Sequence, residues 1–214
     1  MLQNDTSNKI QDIISGKSIA WQTNHCTAAR NYLCRSFSPS TKVKEDFEGN
    51  LLIKEKQAKA LEDYISENNL WVKRPAVATQ LLTIGGEAQV YIDVAEKQVI
   101  KLNDAIYYAT WLDFFTSILL HNLFFPETSY TLIGFTTRGQ NLQAVLTQPY
   151  IISDDAVNLE NVKASLEELG FINTKRNDYY NKSLGLILED IHDENVIMNC
   201  GFIFFIDTVF YVDL

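Results

Sequence analysis

Five strand-like runs and one apolar helix, between residues 80 and 148, constrain the fold more than any other part of the chain. Each run is short, rich in β-branched or aromatic residues, and bounded by turn residues. The helix opens at an Asn-Asp pair and ends before Pro126. In chain order the predicted elements are three strands within 80–102, a helix over about 104–122, and strands over 130–136 and 142–148. This order predicts an α+β fold.

The predicted helix has two different sides when its residues are placed on a helical wheel. The apolar side contains Tyr107, Trp111, Phe115, Ile118 and Leu119. The opposite polar stripe contains Thr110, Asp113 and Ser117. Asp113 is the only carboxylate in the middle of this helix.

The segments on either side of this central unit differ from it in pattern. From Asn8 to about Leu70 the pattern is helical, with loop signals at 36–41 and around Gly49. The last helix of that region places Leu52, Ala58, Leu61 and Ile65 at helical spacing. After the central unit we predict a helix over 158–170, an apolar run over 184–188 and a strand over 202–206 that ends at Asp207. The predicted divisions are 1–74, 75–152 and 153–214.

The composition is that of a soluble globular protein, because 46% of the 214 residues are apolar and 21% are charged. A net charge of -9, without a Lys and Arg cluster, argues against nucleic acid as a direct partner. The longest apolar stretch, 118–126, is too short to cross a bilayer. The N-terminus lacks the basic and apolar segments of a secretory signal. We therefore expect a cytoplasmic protein without a membrane partner.

The cysteine count argues against a metal-binding framework. Cys26, Cys34 and Cys200 form no CxxC pair. His25 beside Cys26 lacks a second closely spaced ligand pair, so packed or solvated side chains are the better interpretation. We expect structural thiols.

Two features of the central unit suggest a phosphate site. Gly85-Gly86 lies in the turn between the first two strands, where missing side chains let backbone amides approach a phosphate. A hairpin turn with two glycines is also simply a turn. In the third strand, alternation puts Lys101 on the same side as Val99, over a partly buried cleft. An ordinary solvated lysine remains the alternative.

The spacing of polar residues from 190 to 207 carries the strongest functional signal. Asp190 precedes Asn195 by five residues in LEDIHDENVIMN, and Asp207 closes an apolar strand in FFIDT. One carboxylate can orient a hydroxyl, while an amide oxygen and a second carboxylate ligate a divalent cation. Phosphoryl transfer with magnesium requires these groups.

In this order, the glycine turn, strand lysine, Asp-x4-Asn and strand-end Asp resemble the protein-kinase and aminoglycoside-phosphotransferase superfamily. The resemblance covers residues 80 to about 212. Since His192 follows Asp190 by two residues, EDIHDENV is more similar to the phosphotransferase loop HGDxHxxN than to the HRD loop of eukaryotic protein kinases. Within the superfamily, the stretch resembles the kinase domain of polyvalent proteins from phages and mobile elements of Bacteroidetes.

The resemblance implies a protein-kinase-like fold with a five-stranded antiparallel N-lobe sheet over 75–152. A minimal C-lobe over 153–214 would carry the catalytic and metal-binding loops, and the helical region over 1–74 would precede both. The implied cofactors are ATP and Mg²⁺. By this resemblance Lys101 contacts the nucleotide's phosphates, Asp190 is the catalytic aspartate, and Asn195 and Asp207 hold magnesium.

The resemblance also implies the nucleotide contacts of the sheet. In the phosphate-binding loop Thr83 replaces the first glycine, Gly85 with Gly86 fits the centre, and Ala88 stands at the third glycine. Val90 would pack beneath adenine. Backbone groups of Gln148 and Tyr150, on either side of Pro149, are expected to pair with the base.

Three departures from the family pattern concern catalysis. The helix has no Glu to pair with Lys101, and Asp113 is one methylene shorter, with a solvated acid as the alternative. Asp207-Thr208-Val209 stands where protein kinases have DFG. The phosphotransferases also lack the DFG motif. We expect no activation segment or large helical lobe, so the C-lobe is either minimal or completed by a partner chain or domain.

Two functions remain open. The first is an ATP- and Mg-dependent phosphotransferase acting on a hydroxyl of an unknown protein or small-molecule acceptor. The second is a non-catalytic, pseudokinase-like nucleotide-binding module, or an interaction domain, of a larger mobile-element protein.

Overall fold

The computed structural model describes residues 4–37, 47–73, 80–84 and 88–213. Across these residues the chain forms five α-helices and eleven β-strands. The helices are α1 (Asn4–Ile14), α2 (His25–Cys34), α3 (Phe47–Glu67), α4 (Trp111–Phe124) and α5 (Leu159–Glu168). The strands are β1 (Gln80–Ile84), β2 (Ala88–Asp93), β3 (Gln98–Asn103), β4 (Thr131–Arg138), β5 (Asn141–Pro149), β6 (Ile172–Lys175), β7 (Asp178–Asn181), β8 (Leu186–Glu189), β9 (Val196–Asn199), β10 (Phe202–Phe205) and β11 (Val209–Val212).

The first five strands form one antiparallel sheet with the order β1-β2-β3-β5-β4. Lys101 in β3 lies opposite Val90 in β2 and Leu146 in β5. Because residues directly opposite each other share a face, these side chains lie on one side of the sheet. The α+β fold expected from the sequence is confirmed.

Helix α4 begins later than its cap-like residues suggested. Asn103 and Asp104 accept hydrogen bonds from the amides of Ala105 (2.7 Å) and Ile106 (3.2 Å), and so form local turns instead of a helix cap. Ala105 has a φ of 57°, which a right-handed helix excludes. The cap is Thr110, whose Oγ1 accepts from the Asp113 amide at 3.1 Å.

Two residues of the polar stripe predicted on α4, Thr110 and Ser117, are buried. Thr116 and His121 of the same helix are also buried, because α1, α2 and α3 pack around this helix and β11 packs on it as well. Ser117 Oγ accepts a hydrogen bond from the amide of Phe210 in β11, at 2.9 Å. Burial of these polar groups is therefore compensated by specific hydrogen bonds.

A buried arginine ties the first two helices to α4. Arg30 of α2 donates hydrogen bonds to the carbonyls of Ile13 (2.6 Å) and Lys17 (2.9 Å) and to Thr116 Oγ1 (3.4 Å). A buried guanidinium is tolerated when its donors are satisfied in this way.

Helix α3 holds the N-terminal end of α4. Gln57 Oε1 accepts a hydrogen bond from the Leu112 amide at 2.9 Å, and Lys54 donates to the Tyr108 carbonyl at 3.0 Å. The loop expected around Gly49 is wrong, because α3 continues through that residue. Leu61 and Ile65 are buried, as their spacing predicted, whereas Leu52 is exposed. Most of the loop expected at 36–41 lies outside the described residues.

The C-terminal strands form a four-stranded sheet with the order β11-β8-β7-β6 and a two-stranded hairpin of β9 and β10. Aromatic rings join them to the end of α4: Phe125 stacks on Phe205 at 4.2 Å, and Phe124 stacks on Phe210 at 5.4 Å. Phe205 and Phe210 flank Asp207 in the sequence. This cluster therefore anchors both ends of the segment that carries Asp207.

The three cysteines are free thiols in different environments. Burial raises the pKa of Cys26 to about 12, which makes its thiol unreactive. Cys34 is half-buried. Cys200 is exposed, and with Gly201 it forms the positive-φ turn of the β9–β10 hairpin.

None of the helices in the described ranges is both long enough and apolar enough to span a membrane.

Candidate active site

A cleft of about 920 Å³ lies between the five-stranded sheet and the loops that follow β8 and β10. It brings together the four polar residues that the sequence singled out: Lys101, Asp190, Asn195 and Asp207. Ala88, Val90, Gln148 and Tyr150 line the same cleft. Gly85 and Gly86 lie outside the described residues, so their predicted phosphate contact stays a prediction.

Asp190 and Asn195 are held together in the turn after β8. Asn195 Nδ2 donates hydrogen bonds to Asp190 Oδ2 at 2.7 Å and to the Asp190 carbonyl at 2.9 Å. Asp190 has a φ of 68°, in the left-handed region that Asp adopts more readily than most residues. Because Nδ2 is the atom bonded to Asp190, Asn195 Oδ1 is left as an oxygen ligand for a cation.

His192 supports the same turn. The Glu194 amide donates to His192 Nδ1 at 3.3 Å. Nε2 lies 3.2 Å from Asp190 Oδ1 and 3.0 Å from Asn195 Nδ2. Asp190 thus has a close polar neighbour at each carboxylate oxygen. Its side chain is still 55% exposed, so the carboxylate is accessible from the cleft.

Asp207 is tied to the Asn195 turn through the backbone. The amide of Ile206, the preceding residue, donates to the Asn195 carbonyl at 3.0 Å. The Asp207 side chain is 39% exposed. One amide oxygen and one carboxylate therefore reach the cleft from two segments joined by a hydrogen bond.

Lys101 reaches across the cleft to the Asp207 segment. Its side chain is only 8% exposed, and Nζ lies 3.3 Å from Asp207 Oδ2. Nζ also donates to the Ile206 carbonyl at 2.9 Å and to Tyr130 Oη at 3.2 Å. These contacts offset the desolvation of the ammonium group. The alternative of an ordinary solvated lysine is excluded.

Asp113 is not placed as a substitute for a helix glutamate. Asp113 Oδ2 accepts a hydrogen bond from Thr110 Oγ1 at 2.7 Å, and the Asp113 amide donates to Thr110 Oγ1. This reciprocal pair belongs to the first turn of α4, where a carboxylate also complements the helix dipole. The partners of Lys101 described above come from other segments.

The backbone at the end of β5 pairs with the sheet at the positions where base contacts were expected. The Tyr150 amide donates to the Lys97 carbonyl at 3.0 Å, and Gln148 lies opposite Val99. Hydrogen-bonded and non-hydrogen-bonded pairs alternate along antiparallel strands, so the backbone groups of Gln148 face β3 as well. The Gln148 side chain donates to the Thr128 carbonyl at 2.6 Å. The Gln148 backbone and the Tyr150 amide are therefore committed to the sheet.

Two neighbouring backbone groups are better placed for a ligand. Pro149 occupies the non-hydrogen-bonded pair between Gln148 and Tyr150, so its carbonyl points away from β3. Ile151 lines the cleft, and its amide makes no hydrogen bond within the described ranges. Pro149 and Ile151 therefore offer one acceptor and one donor.

Apolar side chains form two walls of the cleft. Val90 and Val99 come from the sheet, and Ile197 and Ile206 come from β9 and the Asp207 segment. Within the described residues, no group of three or more His, Cys, Asp or Glu side chains forms a metal cluster. Asn195 and Asp207 nevertheless fit Mg²⁺, which takes few protein oxygens and completes its shell with water and phosphate.

The sequence model of a kinase family, described as Serine/Threonine/Tyrosine Kinase found in polyvalent proteins, matches residues 54–214. The chain belongs to this kinase family. The match confirms the resemblance seen in the sequence, and its range includes every cleft residue named above. Neither a curated protein nor a solved structure gives a significant match to the chain.

Within this kinase domain, His121 links α4 to the Asp207 segment. Its Nε2 lies 3.0 Å from the Thr128 carbonyl, and its Nδ1 lies 2.7 Å from Thr208 Oγ1. A carbonyl only accepts, so Nε2 carries the proton and Thr208 donates to Nδ1. Burial lowers the pKa of His121 to about 4, against the opposing effect of the Thr128 hydrogen bond. The imidazole is thus neutral at physiological pH.

The sequence analysis did not single out Ile151 and Ile197, which line the cleft, or Tyr130, which contacts Lys101 beside it. Tyr130 begins a strand segment, where an aromatic residue ordinarily indicates packing. The relevant group of Ile151 is its backbone amide, and the identity of the side chain does not indicate where that amide lies. Ile197 belongs to an apolar run that indicates a strand, and only the hairpin geometry brings it to the cleft.

Proposed function

We propose that this kinase domain is a phosphotransferase that uses ATP and Mg²⁺ in the cleft and phosphorylates a hydroxyl of a protein or small-molecule acceptor. The five-stranded sheet is its N-lobe, and the segments after residue 152 form a minimal C-lobe. The observation that carries the proposal is the convergence of Lys101, Asp190, Asn195 and Asp207 on one cleft. Family membership supports the same reaction class.

The base fits between the two apolar walls. Val90 and Val99 lie on one side and Ile197 and Ile206 on the other, which suits a flat aromatic ring. At the edge of this slot, the Pro149 carbonyl accepts from the exocyclic amine of adenine and the Ile151 amide donates to a ring nitrogen. This assignment replaces Gln148 and Tyr150 as the backbone partners of the base.

Charge at the phosphates is balanced by one lysine and one cation. Lys101 binds phosphate oxygens, and Asn195 Oδ1 with the Asp207 carboxylate holds magnesium. When bound, the cation neutralises charge that develops on the transferred phosphoryl group. Lys101 must leave its contact with Asp207 as the phosphates arrive, because that contact competes with the cation for the carboxylate.

Asp190 orients the acceptor. The hydroxyl oxygen of the acceptor takes the γ-phosphoryl group as ADP departs, and its proton passes to the Asp190 carboxylate. The hydrogen bond from Asn195 and the neighbouring His192 ring hold that carboxylate in a fixed direction. Positioning of this kind supplies much of the catalysis in phosphoryl transfer.

One observation favours a second function, a non-catalytic nucleotide-binding module. Lys101 pairs with Asp207, and α4 supplies no Glu to hold the lysine toward phosphates. A chain of this kind would be stabilised by ATP without consuming it.

Thermal unfolding with ATP, with and without Mg²⁺, and ADP release with protein and small-molecule acceptors or water separate these functions. We expect Mg-dependent stabilisation and turnover in the wild type. Asp190→Asn should reduce turnover by about 100-fold or more while retaining nucleotide affinity. Asp207→Asn should remove the Mg²⁺ dependence of binding, and Asp193→Asn, an exposed acid in the same loop, is the matched control.

Binding without turnover under every acceptor condition would favour the second function. An unchanged melting temperature at millimolar nucleotide would reject both functions.

A further inference from the structure

Helix α4 of this kinase domain supplies no carboxylate that contacts Lys101. Asp113 is the only acid in α4, and it belongs to the first-turn pair with Thr110. Phe114 and Ile118 of α4, both apolar, line a small cavity together with Lys101 and Asp207. The ammonium must therefore be held in place by another group.

Tyr130 contacts both charged residues of the site. Its hydroxyl accepts a hydrogen bond from Lys101 Nζ at 3.2 Å. The same hydroxyl lies 2.9 Å from the Ile206 carbonyl and 3.2 Å from Asp207 Oδ1, and it donates its single proton to one of them at a time. The ring centroid is 5.1 Å from Lys101 Nζ, within the range of a cation–π interaction.

The backbone of Tyr130 is fixed to α4 by two hydrogen bonds. The Tyr130 amide donates to Asn122 Oδ1 at 2.7 Å, and Asn122 Nδ2 donates to the Tyr130 carbonyl at 2.8 Å. The Tyr130 ring also packs on His121, with 4.7 Å between the centroids. Tyr130 is 4% exposed, so water competes little for its contacts.

We infer that Tyr130 is the positioning residue that couples α4 to Lys101 and Asp207, in place of a helix glutamate. Asn122 holds the Tyr130 backbone, and the Tyr130 hydroxyl holds the lysine and the metal-binding carboxylate. The coupling thus passes through a neutral phenol. Because a phenol does not neutralise the lysine as a carboxylate would, Lys101 pairs with Asp207 in the absence of phosphates.

This inference rests on the proposed nucleotide site, so its test measures ATP affinity with Mg²⁺ by titration calorimetry. Tyr130→Phe keeps the ring and removes only the hydroxyl. Loss of a hydrogen bond to a charged group should weaken binding by about tenfold. Tyr108→Phe is the matched control, because Tyr108 is also buried and its hydroxyl contacts Ser117 at 3.1 Å. It should bind ATP as the wild type does.

A double-mutant cycle adds a measurement that a general packing defect would not change. In a Lys101→Met background, most of the effect of Tyr130→Phe should disappear, because its main charged partner is gone. Asn122→Asp is a second variant that leaves Tyr130 intact and replaces the donor facing its carbonyl with an acceptor. It should weaken ATP binding by about threefold to tenfold.

The outcomes separate the two proposals. If the wild type does not bind ATP, the proposed function is wrong. If the wild type binds and Tyr130→Phe binds equally well, the inference about Tyr130 is wrong. It is also wrong if Tyr108→Phe loses as much affinity, or if the effect of Tyr130→Phe persists undiminished in the Lys101→Met background.

Discussion

Asn195 donates hydrogen bonds to both the carboxylate and the backbone carbonyl of Asp190, at 2.7 and 2.9 Å. These contacts stabilise a backbone conformation that few residues adopt, with a φ of 68° at Asp190. The residue proposed to orient the acceptor is thus also a structural residue of its turn. Substitutions at this position affect activity and stability to different extents.

Asp190→Asn should leave stability nearly unchanged, because Asn keeps a side-chain oxygen that accepts from Asn195 and also tolerates a positive φ. Asp190→Ala removes the acceptor and places alanine in the left-handed region, at a cost of about 1–2 kcal/mol. Urea unfolding of both variants checks the difference. Asp193→Ala, in an exposed position of the same loop, should unfold as the wild type does. Equal stability of the two Asp190 variants would contradict the interpretation that the positive φ and the Asn195 hydrogen bond make Asp190 a structural residue of its turn.

Features set by local chemistry were predictable from the sequence. Each of β2, β3 and β5 follows from alternation and flanking turns, and the Asp190, Asn195 and Asp207 spacing marks three side chains that meet in one cleft. Local rules were sufficient because these signals lie within a few residues of the groups that they specify.

Features set by distant contacts were not predictable. Asn103 and Asp104 are good helix-capping residues, yet they form turns, and α4 begins at Trp111 after its cap Thr110. Gln57 of α3 also accepts from the Leu112 amide in this first turn. Likewise, nothing near Tyr130 in the sequence indicates that it contacts Lys101. Tertiary packing decides both outcomes, and it overrides the local preference of a residue type.

The start of α4 can be tested through its cap. Thr110→Ala removes the hydroxyl that accepts from the Asp113 amide, and it should lower the free energy of unfolding by about 1 kcal/mol. Thr110→Ser keeps the hydroxyl and should recover most of this loss. Asp104→Ala should change stability by less than about 0.5 kcal/mol, because its hydrogen bond is exposed. A larger loss at Asp104 than at Thr110 would place the helix start at the earlier residue.

Gly134 provides a test of how the segment after α3 joins the sheet. Phe135 donates its amide to the Leu70 carbonyl at 2.8 Å, and a Cβ on Gly134 would meet that carbonyl oxygen at 2.5 Å. Gly134→Ala should therefore push the segment from β4 and destabilise the fold by about 1–3 kcal/mol.

The matched substitution is Gly139→Ala, where an added Cβ meets nothing within 4 Å. That position has a φ of 63°, so the backbone conformation alone should cost about 1 kcal/mol. Hydrogen exchange of the Phe135 amide separates the two effects, since only Gly134→Ala should speed it. Unchanged exchange of the Phe135 amide in Gly134→Ala would show that β4 does not require the close approach between Gly134 and the Leu70 carbonyl.

His121 should make stability depend on pH in the acid range. Its folded-state pKa is about 4, below the ordinary value of 6.5, because the ring is buried between α4 and the Asp207 segment. The unfolded chain therefore binds a proton more readily than the folded chain does. The stabilising contribution is complete above pH 6.5 and is lost as pH falls from 6.5 toward 4, up to about 3 kcal/mol.

Urea unfolding between about pH 4 and pH 7 measures this dependence. His121→Gln keeps a donor and an acceptor but does not titrate, so its stability should fall less steeply with acid than that of the wild type. His25→Gln, at an exposed position, should retain the wild-type slope. Parallel slopes in the wild type and His121→Gln would show that other groups cause the acid sensitivity.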